Sequence, residues 1–420
     1  MRSNAPRPRR ITFDHDERII ICKPDTSASG NTCSFEENRA TFTQPIHTDP
    51  LDDNWIPYMR ECRERFAFRL FYALPSNPKT PYVINQSFKI LSKLPSITHY
   101  EQYLAWNDVN KKTLTLRIAS KREISNKFRT KELLDEKHLM FCCEYPFTID
   151  FIAHFQTPHL LCMLVEQLPG GHLQDLVEKS GKVPFKYAQF YGGQIVLALE
   201  YLHNMSVILR DLRLDSIVIC EDGYVKLTDL GNAISTSSAD KLTTWFEDYR
   251  AGVTKMVPRL GFRPPEVWKG QAYNSAVDWW SFGLVLYKIY SGNDCFPEEP
   301  PSQFYEEQMK RKIFDLHYDT PRWFTAADRK IFKELLTLDP NERLGTVGDG
   351  VYSIKTHAWF KGIQWISLYG GLETPPSIPT MVPNRDPGDT FEKFSEEPAE
   401  AKSKPSLNNP LPYGYQFETF

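Results

Sequence analysis

The sequence predicts an α+β chain in two lobes, small and strand-rich first, large and helical second. Three observations carry this. Strand-length apolar or alternating runs fall at Phe88 to Leu94, Tyr103 to Trp106, Thr113 to Ile118 and Leu160 to Gln167. A turn signal, Pro169-Gly170-Gly171, then closes the strand region. Beyond it Phe185 to Asn204 and Val277 to Tyr290 are apolar enough to be core helices. Strands segregated from helices in this way build an α+β body.

The earlier elements follow in order. Residues 1–50 mix Arg, Pro, Ser, Thr and Asn without sustained periodicity, so they read as disordered, with a short strand expected near Arg18 to Lys23. Asn54 to Tyr72 alternates Trp55, Tyr58, Met59, Phe66 and Leu70 with charges at helical spacing, and Pro75, Pro78 and Pro81 end it. A charged helix is expected over Lys127 to Cys142. Gly192-Gly193 inside the helix Phe185 to Asn204 should cost about 1 kcal/mol each. Residues 371–420 carry nine prolines, which suits an extended tail laid over a surface.

Composition excludes several classes. A length of 420 residues allows roughly two to three domains, and 41% hydrophobic content is ample for a large core. A net charge of -3 argues against nucleic acid as partner. The eight cysteines show no C-x-x-C spacing and several lie in apolar runs, which reads as buried thiols in a reducing compartment and not as a zinc site. No signal-peptide pattern or membrane-length apolar run is found, and Arg2 excludes myristoylation, so a cytoplasmic location is expected, with the nucleus as the alternative.

The chemistry lies in Leu209-Arg210-Asp211-Leu212-Arg213-Leu214-Asp215-Ser216, followed by Asp229-Leu230-Gly231. Upstream stands Tyr201-Leu202-His203-Asn204. Downstream stand Pro264-Pro265-Glu266, Val277-Asp278-Trp279-Trp280-Ser281-Phe282-Gly283 and Arg343-Leu344-Gly345. In this order the motifs resemble a protein kinase: catalytic loop, metal-binding triplet, the Ala-Pro-Glu triplet, the anchoring helix, and the arginine that pairs with Glu266. Lys355-Thr356-His357-Ala358-Trp359-Phe360, Pro387-Gly388-Asp389-Thr390 and the terminal Phe417-Glu418-Thr419-Phe420 narrow the resemblance to AGC-group serine/threonine kinases, closest to the cyclic-AMP-dependent protein kinase catalytic subunit. It implies a two-lobed protein kinase fold. The expected divisions are a disordered segment at 1–50, an N-terminal helix and linker at 51–84, a kinase domain at 85–360 (small lobe 85–168, large lobe 169–360), and an AGC-type tail at 361–420 whose Phe417 and Phe420 plug a small-lobe groove.

The same resemblance assigns roles. Asp211 becomes the base for a substrate hydroxyl, and Arg213 stands where the family has a phosphate-contacting lysine. Asp229 would hold magnesium, and Ser216 replaces the asparagine that completes a second metal shell. The backbone of Glu166 and Leu168 would bond adenine above Val218, while Gln102 and Thr115 are polar where the family packs Val and Ala. ATP and magnesium are the implied cofactors, their binding set in doubt by the departures. Arg117 lies nineteen residues before Glu136, the spacing of the family's lysine–glutamate pair, so a planar guanidinium replaces a compact ammonium. An Arg117–Glu136 ion pair is expected. The family's glycine-rich phosphate loop falls on Pro95, Ser96, Ile97, Thr98, His99 and Tyr100, with no glycine to let backbone approach phosphate. The column linking the lobes falls on Met140, Phe151, Leu209 and Leu230, standing on Asp278, and its four hydrophobic members are retained.

Peptide-reading positions fall on His172, Asp215, Gly261 and Lys288, of which only Asp215 is acidic. Arg210 would meet a phosphorylated activation segment alone, since Ile234 and Glu132 replace its basic companions. Tyr305 matches a position that docks a regulatory subunit. The resulting expectation is a catalytically impaired, pseudokinase-like protein working through a protein partner, a cyclic-AMP-dependent kinase regulatory subunit among the candidates. The alternative is an active serine/threonine kinase transferring the γ-phosphate through Asp211.

Overall fold

The computed structural model describes residues 11–13, 19–21, 55–73, 88–94, 100–107, 111–126, 130–156, 159–235, 243–244, 260–297 and 304–376. They form the expected α+β body with a sheet lobe and a helical lobe. Positions 95–99 of the phosphate loop and the tail from 377, with Phe417 and Phe420, lie outside the described residues.

A short antiparallel pair, β1 (Ile11–Phe13) and β2 (Ile19–Ile21), includes the strand expected near residue 20. Helix α1 (Trp55–Ala73) follows, then β3 (Phe88–Leu94), β4 (Glu101–Asn107) and β5 (Lys112–Ser120). Next come α2 (Lys121–Asn126), α3 (Thr130–Cys142), β6 (Phe151–Gln156) and β7 (Leu160–Glu166). The helix expected from Lys127 begins at Thr130, and a separate short helix precedes it. The five strands β3 to β7 pair antiparallel in the order β3-β4-β5-β7-β6. Strand β6 escapes a pattern reading because its register shifts between Phe151 and Ala153, which breaks the period of two.

The large lobe opens with α4 (Leu173–Ser180) and α5 (Phe185–Asn204). Short strands β8 (Val207–Ile208), β9 (Ile217–Ile219), β10 (Val225–Leu227) and β11 (Ile234–Ser235) carry the loop region. They pair as β8 with β11 and β9 with β10. Further on, β12 (Thr243–Thr244) pairs with β13 (Ala272–Tyr273) around the turn α6 (Pro265–Trp268). The central helix α7 (Ala276–Ser291) is buried almost all round, as its apolar run demands. Helices α8 (Tyr305–Phe314), α9 (Ala326–Leu335), α10 (Val351–Lys355) and α11 (Trp365–Tyr369) complete the lobe. None of the described helices is long and apolar enough to cross a membrane.

The glycine pair in α5 has a packing reason. A Cβ at Gly192 would stand 2.8 Å from Leu286 Cδ1, and one at Gly193 would stand 2.7 Å from Leu368 Cδ2. Close approach of α7 and α11 offsets the helix-propensity cost.

Two buried ion pairs tie distant segments together. Arg343 grips Glu266 bidentately at 2.7 and 2.9 Å, as the sequence motifs imply, and also donates to the Ala276 carbonyl at 2.7 Å. Lys355 Nζ lies 2.5 Å from Glu200 Oε2 and 4.6 Å from the Trp55 ring centroid. Trp55 Nε1 donates to the other Glu200 oxygen at 3.2 Å, and Arg69 donates to the Phe141 carbonyl at 3.3 Å. Helix α1 is therefore a brace that touches both α5 and the end of α3.

Candidate active site

The site is hung from Asp278 in the first turn of α7. Its fully buried carboxylate accepts the backbone N–H of Leu209 at 2.9 Å and of Arg210 at 2.7 Å, and lies 2.8 Å from His203 Nε2. A helix N-terminus favours a negative charge there. These bonds hold Arg210 in a left-handed conformation, φ 68°, and so fix the direction in which Asp211 leaves the loop. Met140, Leu209 and Leu230 are buried in one continuous core, with Phe151 packed against it.

Asp211, Arg213, Asp215 and Asp229 come together below this anchor. Arg213 Nε is 3.1 Å from Asp211 Oδ1 and 3.4 Å from Asp215 Oδ1, and Arg213 Nη2 is 4.0 Å from Asp229 Oδ2. Asn232 Nδ2 donates to Asp211 Oδ2 at 2.9 Å. Burial pushes the Asp211 carboxyl up to about 6, opposed by Arg213 and reinforced by Asp229. Asp229 turns Oδ1 back onto its own triplet, accepting from Gly231 N at 2.9 Å. Ser216 is absorbed by its loop: Oγ donates to the Arg213 carbonyl at 2.8 Å and accepts from Arg213 N at 3.2 Å.

The upper wall departs further from a phosphate cradle. Arg117 Nη1 reaches Glu136 Oε1 only at 3.8 Å, so the expected ion pair exists as a long contact. Its Nη2 instead donates to the Thr228 carbonyl at 3.0 Å, beside Asp229. Glu136 takes its hydrogen bond from the hydroxyl of Tyr100, a residue 3% exposed and packed among Ala119, Ile124, Leu133 and Met163. Burial and then the charge of Asp229 raise the Glu136 carboxyl to about 7, against the pull of Arg117 and Tyr100. Tyr100 fills the space in front of the α3 carboxylate.

On the far side, Glu166 ends β7 opposite Leu114, and its side chain lies 2.5 Å from Lys226 Nζ. Lys226 stands across the ladder from Val218, so this contact joins the end of β7 to the β9–β10 pair. Val218 is buried and Leu168 half-buried. Thr115 Oγ1 donates to Gln167 Oε1. Gln102 pairs across the sheet with Arg117.

The donor set does not fit two magnesium ions. Ser216 spends its hydroxyl on the loop backbone, and a guanidinium stands between the carboxylates. Among the described residues no group of three or more acidic, His or Cys side chains is arranged to hold a metal. Magnesium demands oxygen ligands at about 2.0–2.1 Å in octahedral array.

Residues 101–360 match the protein kinase domain family. The chain belongs to the protein kinase family. It is 30% identical over 313 residues to the cAMP-dependent protein kinase type 3 of Saccharomyces cerevisiae, covering 74% of this chain and 73% of that one. It is 27% identical over 320 residues to a human cAMP-dependent protein kinase catalytic subunit, covering 76% and 84%. It is 28% identical over 335 residues to the catalytic subunit of Dictyostelium discoideum, covering 80% of this chain but 49% of that protein.

In this kinase domain Arg210, Lys288 and Tyr305 have partners that no sequence motif announced. Arg210 Nε donates to the Asn232 carbonyl at 2.6 Å and Nη1 to the Tyr273 hydroxyl at 2.9 Å. Lys288 lies 2.9 Å from Asp294, which compensates the charge reversal read at that position. Tyr305 is half-buried against the core at the start of α8. A Cβ on Gly261 would meet the Phe296 carbonyl at 2.8 Å. Asn232 could have been suspected, since it follows the Asp229 triplet directly. Tyr273 could not.

Proposed function

We propose that this kinase-fold chain is of the AGC group, cyclic-AMP-dependent type, that its phosphoryl transfer is impaired, and that it acts by binding protein. The observation that carries this reading is Tyr100. At the position of the last phosphate-loop glycine, its buried side chain bonds Glu136, the carboxylate that an active kinase needs to hold a lysine on the nucleotide phosphates. Arg117, at the lysine position, is spent on the Thr228 carbonyl. Retention of the apolar residues Met140, Phe151, Leu209 and Leu230 and the bonds of α1 to α5 and α3 support this reading, in which an active-like outline survives for a partner to read. A regulatory subunit of cyclic-AMP-dependent kinase is the partner class we favour, since the relatives include cyclic-AMP-dependent catalytic subunits. The division into segments 1–50, 51–84, 85–360 and 361–420 and a cytoplasmic location belong to the same proposal.

The second reading, an active kinase using Asp211 as base, Asp229 for the metal, and Glu166, Leu168 and Val218 for adenine, is favoured by the Asn232 bond that orients Asp211. A nucleotide titration separates them. With millimolar ATP and magnesium the full chain is expected to show no change in Tm, because a ligand that does not bind the native state adds no stability. A dose-dependent rise in Tm that disappears in Asp229→Asn would favour the active reading.

A further inference from the structure

We propose that the large lobe carries a protein-docking surface at the end of α7 away from the cleft, and that its partner is an acidic segment anchored by a proline or aromatic side chain. Phe185 and Trp323 are 39% and 44% exposed. They flank the ring of Tyr290, with centroids 5.7 and 5.0 Å from it. Trp359 lies 5.2 Å from Phe185 and Phe324 lies 4.7 Å from Trp323, and both are buried. Scattered exposed aromatics need no explanation, but these two share one buried aromatic floor. Large rings held half in water on a fixed base bury area on binding at little ordering cost, which is how interface anchors work.

Charge selects the partner. Lys182 Nζ stands 4.6 Å from the centroid of the Trp323 ring. Lys182, Lys186 and Arg322, neighbours of the two rings, are exposed, and none forms an ion pair among the described residues. Asp328 meets the Tyr290 hydroxyl at 3.3 Å, but it is buried and turned inward, accepting from Thr325 N at 2.5 Å and Trp359 Nε1 at 3.0 Å. The field over the rings is therefore positive, which draws carboxylates and repels basic peptides. Two half-exposed rings are too little apolar surface for a bilayer, which takes up the whole face of a helix. Asp278 stands in the first turn of α7 and Tyr290 in the last, about 18 Å apart at about 1.5 Å per residue. A partner here leaves the cleft untouched, and its docking does not depend on whether phosphoryl transfer survives.

The probe is a fluorescein-labelled peptide of Glu-Glu-Pro-Phe repeats, titrated with the full chain and followed by anisotropy beside its Lys-Lys-Pro-Phe counterpart. The acidic peptide is expected to saturate below millimolar protein, and the basic one to show no binding. Lys182→Glu combined with Arg322→Glu should weaken the acidic peptide at least about tenfold, because two attractions become repulsions. Trp323→Gln should weaken it by a similar factor through loss of the anchor. Trp323 also packs on Phe324, so Phe185→Gln carries the same expectation should a thermal melt show that Trp323→Gln unfolds. Added salt should weaken wild type and leave the charge-reversed variant nearly unchanged. No binding by wild type up to millimolar protein overturns the proposal, as does binding that survives the charge reversal or equal binding of the basic peptide. Capture of wild type, but not of the charge-reversed variant, by phosphatidylserine vesicles with no response to the peptide would make the surface a lipid contact and overturn it too. Any of these results leaves the Tyr100 obstruction standing, and phosphoryl transfer by the purified chain would sink that obstruction without touching this surface.

Discussion

Asp278→Ala is expected to lower stability by about 2–6 kcal/mol, because two buried backbone N–H groups lose their acceptor at about 1–3 kcal/mol each. The groups are those of Leu209 and Arg210, at the entrance to the catalytic loop. Water cannot replace the carboxylate, since Asp278 is fully buried in the first turn of a helix that is itself the core of the large lobe. Asn at this position keeps one accepting oxygen, so Asp278→Asn should lose about half as much. Urea unfolding at constant slope measures both variants. A loss under about 0.5 kcal/mol for the alanine variant, the level of an ordinary surface change, would mean that the loop is held by something else.

Glu136→Gln is expected to stabilise the protein above neutral pH and to do little in acid. Its carboxyl rises from its ordinary 4.5 to about 7 on folding, mainly through burial and then through Asp229. A raised folded value means that the native state binds the proton more tightly than the unfolded chain. Stability from this group is therefore full below about pH 4.5 and lost as pH rises to about 7, a span on the order of 3 kcal/mol. Asp211, raised from 3.8 to about 6, adds a change of the same sign in a slightly more acid window. Gln keeps an acceptor for the Tyr100 hydroxyl and has no charge to desolvate, so the pH dependence should flatten. Unfolding free energies at pH 5 and pH 8 read the difference. An unchanged slope in the variant would place the charge cost elsewhere.

The fold was legible because its signals are local or strictly ordered. The apolar runs of β5, β7 and α7 are long enough to stand above turns, and Asp211, Asp229, Glu266, Asp278 and Arg343 keep a fixed sequence order. The Glu266–Arg343 pair spans 77 residues yet follows from two short motifs. Strand β6 was not legible, because a register shift between Phe151 and Ala153 leaves only Ala153 to Gln156 in regular alternation, too short a run to stand out. In the site, the missing glycines and the Arg117 substitution could be read directly, but the fate of the freed groups could not. That Tyr100 would bond Glu136, that Arg117 would turn to Thr228, and that Tyr273 would engage Arg210 are contacts between residues 36, 111 and 63 positions apart. No periodicity carries such information. Lys288 shows the same limit, since its charge is visible in the sequence and its compensation by Asp294 is a matter of side-chain placement.

Everything functional turns on whether a triphosphate can be seated and attacked behind Tyr100. The direct measurement is transfer of labelled γ-phosphate from ATP to a generic serine peptide by the purified full chain, beside Asp211→Ala, with magnesium present. Wild type and variant are expected to give the same background rate if, as proposed, neither holds the phosphates between a lysine and a metal. Sustained turnover by wild type that vanishes in Asp211→Ala would contradict the account.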